Sequence, residues 1–210
     1  VKNRHSVRDF SERPVSKEDL TSIVNLAKLA PSWANSQTWR VIIATGDTLE
    51  KIRTHHIQAV QQGIPGSAEI PALHRNQMGN NGVANVAKWM TDFNGFMKDE
   101  SQVPATDSAH LFNAPAVAYL LIPQNPSLWE AYDLGSFGQT LMLAASDRGI
   151  DSIPAMELVQ YPQSLHDILN VNDRYIFALG IALGYLNSDS LINKFRSTRM
   201  DNQDFLTFRN

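Results

Sequence analysis

The sequence predicts a single α/β-type domain, and three observations carry that prediction. Short β-rich apolar runs alternate with stretches whose apolar residues recur every three or four positions. No repeat, low-complexity segment or linker interrupts the alternation. A chain of 210 residues, 43% of them hydrophobic, also suffices for one sizeable core.

Ser16 followed by Asp19 reads as a capping box, and Leu20, Ile23, Val24, Ala27 and Ala30 then keep helical spacing until Pro31 stops the run. Residues 39–46, "WRVIIATG", are β-rich and end on glycine, which predicts a buried strand. Asp47 or Thr48 is placed to cap the next helix, through residues 49–62. Residues 63–82 are rich in Gly, Pro and Asn and read as a long loop, a feature that often serves as a lid. Helical spacing returns over 83–98, with Val86, Trp89, Met90, Phe93 and Met97. "PAVAYLLIP" (115–123) is a second buried strand. A long apolar helix follows from Ser127 to Arg148, with Gly149 as its C′ residue. A short strand at 150–156, a short helix at 162–170 and a long strand at 175–185 complete the series. The tail beyond is polar but carries Leu191, Phe195, Phe205 and Phe208, so it is expected to dock on its own domain or on a partner.

Composition excludes several classes of function. With a net charge of −3 and no dense basic run, neither nucleic acid nor an anionic membrane is an expected partner. The longest apolar stretch, 109–123, is too short and too interrupted by proline to span a bilayer. No secretory leader is read at the front, and a start at Val1 implies a trimmed or processed N-terminus. The absence of cysteine removes disulfides, thiolate nucleophiles and Cys-ligated metals, and a cytoplasmic setting is expected. Any redox chemistry must then come from a bound cofactor. No G-x-G-x-x-G, phosphate-binding G-x-x-x-x-G-K-[ST], G-x-S-x-G or H-E-x-x-H motif is present. His55 and His56 diverge by about 100° on a helix, and His74, His110 and His166 lie far apart, so no metal site is expected.

Two stretches carry candidate chemistry. Arg4, Ser6 and Arg8 alternate with His5 and Val7; in an extended segment they share one face, converging two guanidinium forks and a hydroxyl in a way that suits a phosphate. Lys194 and Arg196 repeat the offset in the tail. Taken alone, either set also looks like an ordinary solvated basic edge. In "APSWANSQTW" (30–39), Ser32, Asn35 and Gln37 stand beside Trp33 and Trp39. Small donors next to flat aromatics suit a heteroaromatic ring, though a plain helix–strand turn presents the same residues.

Together, "RHSVRDF", "APSWANSQTW", "DLGSFGQTLMLAASDRGIDSIPAM", "ALGIALGYL" and "NKFR" resemble the FMN-dependent nitroreductase family in order and spacing. The resemblance implies an α+β, three-layer fold over residues 1–210, a mixed and mainly antiparallel sheet flanked by helices. It also implies a homodimer with FMN at the interface and residues 186–210 as a tail wrapping the partner. By position, Arg4 and Ser6, with His5 between them, match the family's phosphate contacts, as do Lys194 and Arg196. Arg8 matches a basic residue at the flavin's N1/O2 edge or ribityl chain. Pro31, Ser32, Trp33, Asn35 and, more weakly, Gln37 match a loop that reaches the ring from the other subunit. Pro154, Ala155 and Met156 match backbone near the flavin N5. Thr38 departs from the family's usual proline, and Trp33 is bulkier than the residue common there. Asn76, Asn80 and Asn81 are all available for a further flavin contact. Trp89, Phe93 and Phe96 read either as core or as an aromatic lid.

The implied activity is an NAD(P)H-dependent oxidoreductase that passes hydride through flavin to nitroaromatic, quinone or similar flat acceptors by a ping-pong cycle, with no catalytic side chain. Reductive dehalogenation, flavin cleavage and non-enzymatic flavin binding are the alternatives on the same scaffold.

Overall fold

A computed structural model describes residues 1–97 and 108–209, without the side chain of Asn76; residue 98, the last of the helix expected at 83–98, lies outside the described residues. The first helix, α1 (Lys17–Ala27), is capped by the Ser16 hydroxyl, which accepts the Asp19 N–H at 3.0 Å. The Asp19 carboxylate accepts a hydrogen bond from the Ser16 hydroxyl at 2.6 Å and not from the Ser16 N–H, so the cap is one-sided rather than the reciprocal box expected. Ala30, expected inside α1, lies beyond its end. The N–H groups of Leu29 and Ala30 turn to carbonyls three residues back, and a residue before proline resists the helical conformation.

Strand β1 (Arg40–Thr45) runs directly into α2 (Gly46–Gln61) through the left-handed Gly46, φ +51°. The abrupt turn leaves no room for the cap expected at Asp47 or Thr48; Asp47 sits in the first turn instead, where its charge complements the helix dipole. Helix α3 (Asn80–Phe96) starts three residues ahead of the expected boundary, with the Asn pair read as loop forming its first turn. Strand β2 (Ala116–Pro123) leads to α4 (Leu128–Asp147), which has the reciprocal Ser127–Glu130 capping box and stops at Gly149, φ +68°. Then come β3 (Asp151–Ala155), α5 (Pro162–Leu169) and β4 (Tyr175–Gly184).

The strands are ordered β1-β2-β4-β3 and every adjacent pair is antiparallel. The one parallel contact among the described residues is a bridge between Ser6 and Ser152 on the outer edge of β3. β2 is buried along nearly its whole length because both faces are covered. Ala116, Ala118, Leu120 and Ile122 face a core shared with α1 and α4, including Ile23, Phe137 and Leu141. Val117, Tyr119 and Leu121 face a second core with Leu49, Leu165, Val7 and Phe10. That period-two division is why this strand reads as an unbroken apolar run. β4 obeys the same rule with one correction: Ala178 is a bulge against β2, so Phe177 and Ala182 face the same core despite their odd spacing. None of the described helices is long and apolar enough to cross a membrane.

Gly180 faces the turn at Met156–Val159, and any Cβ there would overlap the Leu158 side chain. Gly180→Val is therefore expected to cost on the order of 1–3 kcal/mol of unfolding free energy in urea titrations; the nearest clash is with the Leu158 Cβ, so Leu158→Gly added to it, rather than Leu158→Ala, should recover part of the loss.

Candidate functional site

The N-terminal segment is held as an edge strand. Val7, fully buried, donates its N–H to the Ser152 carbonyl at 3.2 Å; Phe10 and Ser11 donate theirs to the carbonyls of Phe112 and Tyr185. With Val7 turned into the core, Arg4, Ser6 and Arg8 remain partly exposed on the other side, in the alternation the sequence suggested. Arg8 is half-buried. Its guanidinium carbon stands 5.8 Å from the Trp89 ring and 6.0 Å from that of Phe93. Burial draws the Arg8 pKa below the ordinary guanidinium range, with the Glu157 carboxylate acting in the opposite sense.

The far end of the chain meets this strand. Asn193, in a 3₁₀ turn at Leu191–Lys194, accepts the backbone N–H groups of Arg8 and Asp9 on its Oδ1, at 2.9 and 3.2 Å. Lys194 and Arg196 follow on the exposed side. Arg196 presently turns one Nη1 to the carbonyls of Asn193 and Phe195, at 2.6 and 3.0 Å, which leaves its other donors open. Four basic residues, two from each end of the chain, thus stand on segments that are joined at Asn193. Arg4 Nη1, His5 Nε2 and Ser152 Oγ are buried there with no hydrogen-bond partner among the described residues. Orphaned buried polar atoms, a guanidinium N–H and a hydroxyl among them, beside basic residues fit an anion such as the FMN phosphate.

The loop at residues 31–37 is elsewhere. Trp33, 62% exposed, donates its N–H to the buried Asp133 carboxylate at 2.9 Å, near the start of α4. Ser6 is paired with Ser152, just past the other end of that helix. Fourteen residues of helix, about 21 Å, separate Asp133 from Asp147. Pro31 lines a surface cavity with Val1 and Asn3. Among the described residues, however, no hydrogen bond or ring contact joins Ser32, Trp33, Asn35 or Gln37 to the chain-end cluster. The loop itself is tightly wound: Ala34, Asn35 and Gln37 all have positive φ, Gln37 donates its N–H to the Ser32 hydroxyl, and its Nε2 donates to Asn35 Oδ1 at 2.9 Å. Such a cluster of left-handed non-glycine residues stores strain of the kind found at binding loops.

Pro154 and Ala155 end β3, and Met156 opens the turn that carries Glu157. As an edge strand, β3 tolerates a proline. Helix α3 buries none of its own residues, yet Trp89, Phe93 and Phe96 all pack on Phe195, with ring centroids 6.1, 5.1 and 5.5 Å away. Trp89 Nε1 also donates to Ser197 Oγ at 3.0 Å. The aromatic stripe is therefore neither domain core nor a free lid; it is the surface on which the tail docks. Asn80 and Asn81 lie in the first turn of α3, and no hydrogen bond among the described residues ties either to the cluster. No group of His, Asp and Glu among the described residues could hold a metal ion.

The first half of the 63–82 loop is pinned rather than free. Glu69 bonds His166 Nε2 at 3.1 Å and accepts the Phe177 N–H at 2.7 Å. Burial favours the neutral imidazole. The Val171 carbonyl and the Glu69 carboxylate outweigh it, and the His166 pKa is raised above the ordinary 6.5.

The nitroreductase family model matches residues 1–185. This chain belongs to the nitroreductase family. Within it, the chain is 27% identical over 218 residues to a 4-nitrobenzoate reductase of Pseudomonas putida, covering 99% of this chain and 93% of that one. It is also 27% identical over 226 residues to a nitrobenzene nitroreductase of Ectopseudomonas oleovorans, covering 99% and 94%. Among solved structures, the FMN-dependent nitroreductase NfnB of Mycobacterium smegmatis in complex with NADPH superposes with a TM-score of 0.90 at 26% identity, covering 100% of this chain and 96% of that one.

Sequence reasoning on this nitroreductase missed Asn193, Ser152, Glu157 and Asp133. Asn193 and Ser152 stood inside quoted motifs as residues beside the expected contacts. The available signal was a small polar residue alternating with exposed cations or set in an apolar strand, the pattern of a buried hydrogen-bonding group. For His166, a folded pKa above the unfolded one adds stability below about pH 6.5 that is lost as pH rises through the raised value. The melting-temperature advantage of the wild type over Glu69→Gln should accordingly be larger near pH 6 than near pH 8.5; equal advantages would show that the imidazolium contributes nothing.

Proposed function

We propose that this chain is a homodimeric FMN oxidoreductase that takes electrons from NAD(P)H and passes them, by a ping-pong cycle in one slot, to nitroaromatic, quinone or similar flat acceptors. The observation that carries the reading is the meeting of the two chain ends around orphaned buried donors. Family membership and the relatives that act on nitrobenzoate and nitrobenzene support the acceptor class. The NADPH complex of the 26%-identical neighbour supports the electron source.

Bound FMN would supply the chemistry of accepting and returning hydride. The chain's own part is placement and charge. Arg4, His5, Ser6, Lys194 and Arg196 would grip the phosphate, since all of them can donate hydrogen bonds and four can carry positive charge. Arg8 would face the pyrimidine edge, where a half-buried guanidinium stabilises added negative charge more than an exposed one does. Pro154, Ala155 and Met156 would meet the ring with backbone, on a strand edge that, among the described residues, the N-terminal segment covers at Ser152. No side chain need act as acid or base.

A second copy would complete the site. Pro31, Ser32, Trp33, Asn35 and Gln37 would come from it as one loop, because its Trp33 end is anchored at Asp133, toward the opposite end of α4 from the Ser6–Ser152 bridge, while its Pro31 end shares a cavity with Asn3 of its own chain. Leu128, Trp129 and Tyr132, all exposed near the Asp133 anchor, offer apolar contact area, and the exposed Phe205 and Phe208 suit a tail reaching across.

The purified protein is expected to be yellow, to bleach anaerobically with NADPH or NADH, and to regain colour on adding a nitroaromatic or a quinone. A colourless protein that takes up no FMN would sink the reading. Arg4→Ala should raise the FMN dissociation constant about tenfold or more while leaving the melting temperature of the apoprotein nearly unchanged. Light scattering should give the mass of two chains.

A further inference from the structure

The Asn193 side chain is 4% exposed and uses every hydrogen-bonding valence of its carboxamide. Oδ1 accepts from the Arg8 and Asp9 N–H groups, while Nδ2 donates to the carbonyl oxygens of Asp9, at 2.6 Å, and Asn187, at 3.0 Å. Two N–H groups face the oxygen and two carbonyls face the nitrogen, so only one orientation of the amide satisfies all four. The Asp9 carboxylate takes no part in this joint; it accepts from Asn113 and Asn187 side chains, at 3.1 and 3.0 Å. From Asn193 the chain alternates: Asn193 and Phe195 are buried, Lys194 and Arg196 exposed.

We propose that Asn193 is a positioning residue that presets the phosphate grip, holding Lys194 and Arg196 against the strand that carries Arg4, Ser6 and Arg8. The inference rests on the FMN reading above. Four like charges drawn from opposite ends of the chain repel one another in the empty protein, so something other than the ligand must keep the two arms together. An uncharged, buried and fully satisfied carboxamide does this without neutralising the cations that the phosphate needs. It touches no ligand itself; it acts through the backbone of residues 8, 9 and 194. Because the joint forms on folding, the ordering of the grip is complete before the cofactor arrives. Phe195, turned into Trp89, Phe93 and Phe96, keeps the same segment from swinging away on its other side.

The test compares the affinities of the protein for FMN and for riboflavin, which lacks the phosphate, by flavin-fluorescence titration of the full-length apoprotein. Asn193→Ala should lower the FMN-over-riboflavin preference roughly tenfold, with riboflavin binding little changed. Asn193→Asp keeps the size and both accepted bonds but loses both donated ones, and should lower the preference as well; it serves if the alanine variant does not fold. Asn113→Gly, which removes one amide from the Asp9 carboxylate at a left-handed position, controls for general destabilisation and should keep the preference intact. A preference unchanged in whichever Asn193 variant folds, or one lowered equally by Asn113→Gly, would overturn the proposal. A wild-type protein that binds FMN and riboflavin equally well would overturn it too, through the phosphate assignment and not through Asn193.

Discussion

Burial of Val7 and Phe10 under the second face of the sheet governs much of the rest. Both faces of β2 and β4 are apolar, and the α2–α5 side has too little helix to cover them alone. The N-terminal segment supplies the missing cover, with Val7 entering between elements that meet at Ser152. Once Val7 points inward, strand geometry sends Ser6 and Arg8 outward. The basic face is in that sense a by-product of packing: the residues that could bind an anion are displayed because their neighbours are needed in the core. The left-handed stretch at Leu111, Phe112 and Asn113 belongs to the same joint, since it aims the Phe112 carbonyl at the Phe10 N–H.

The tail is organised by the opposite logic. It has few buried residues and little regular structure, and what holds it is polar at Asn193 and aromatic at Phe195. Aromatic contacts of this kind add about 0.5–1.5 kcal/mol each beyond area burial, enough to hold α3 near the tail but not to make it core. A helix attached through one patch of rings and a cation above Trp89 can shift without disturbing the sheet.

The division of candidate contacts between the ends of α4 is what the proposed pairing of two copies would reconcile. One end carries the basic cluster and the other a strained loop rich in amides and hydroxyls. The two halves differ in chemistry: the first concentrates positive charge beside the Ser6 and Ser152 hydroxyls, the second offers amides and hydroxyls without a basic side chain. On the proposed reading, each chain would contribute two half-sites, one near either end of α4.

Read alone, the amino-acid sequence determined the kinds and order of the elements, because these follow from short-range patterns: the apolar β-rich run in β2, the three-to-four spacing in α1 and α4, the cap residue Ser16. It also determined that Arg4, Ser6 and Arg8 would share a face, since that depends only on their being extended. Boundaries set by local chemistry against tertiary demand were less legible, such as the start of α2 at Gly46 and the end of α1 before Ala30. Only the tertiary structure decided that Arg8 and Lys194 would be neighbours, that Ala178 would bulge and shift the parity of β4, and that Trp33 would be tied to Asp133. Each of these joins residues far apart along the chain, as Asp9 and Asn193 are, or depends on which face of a sheet is already covered. A hydrogen bond formed by a lone buried asparagine leaves no periodic trace, so no reading of neighbours in sequence could have placed it.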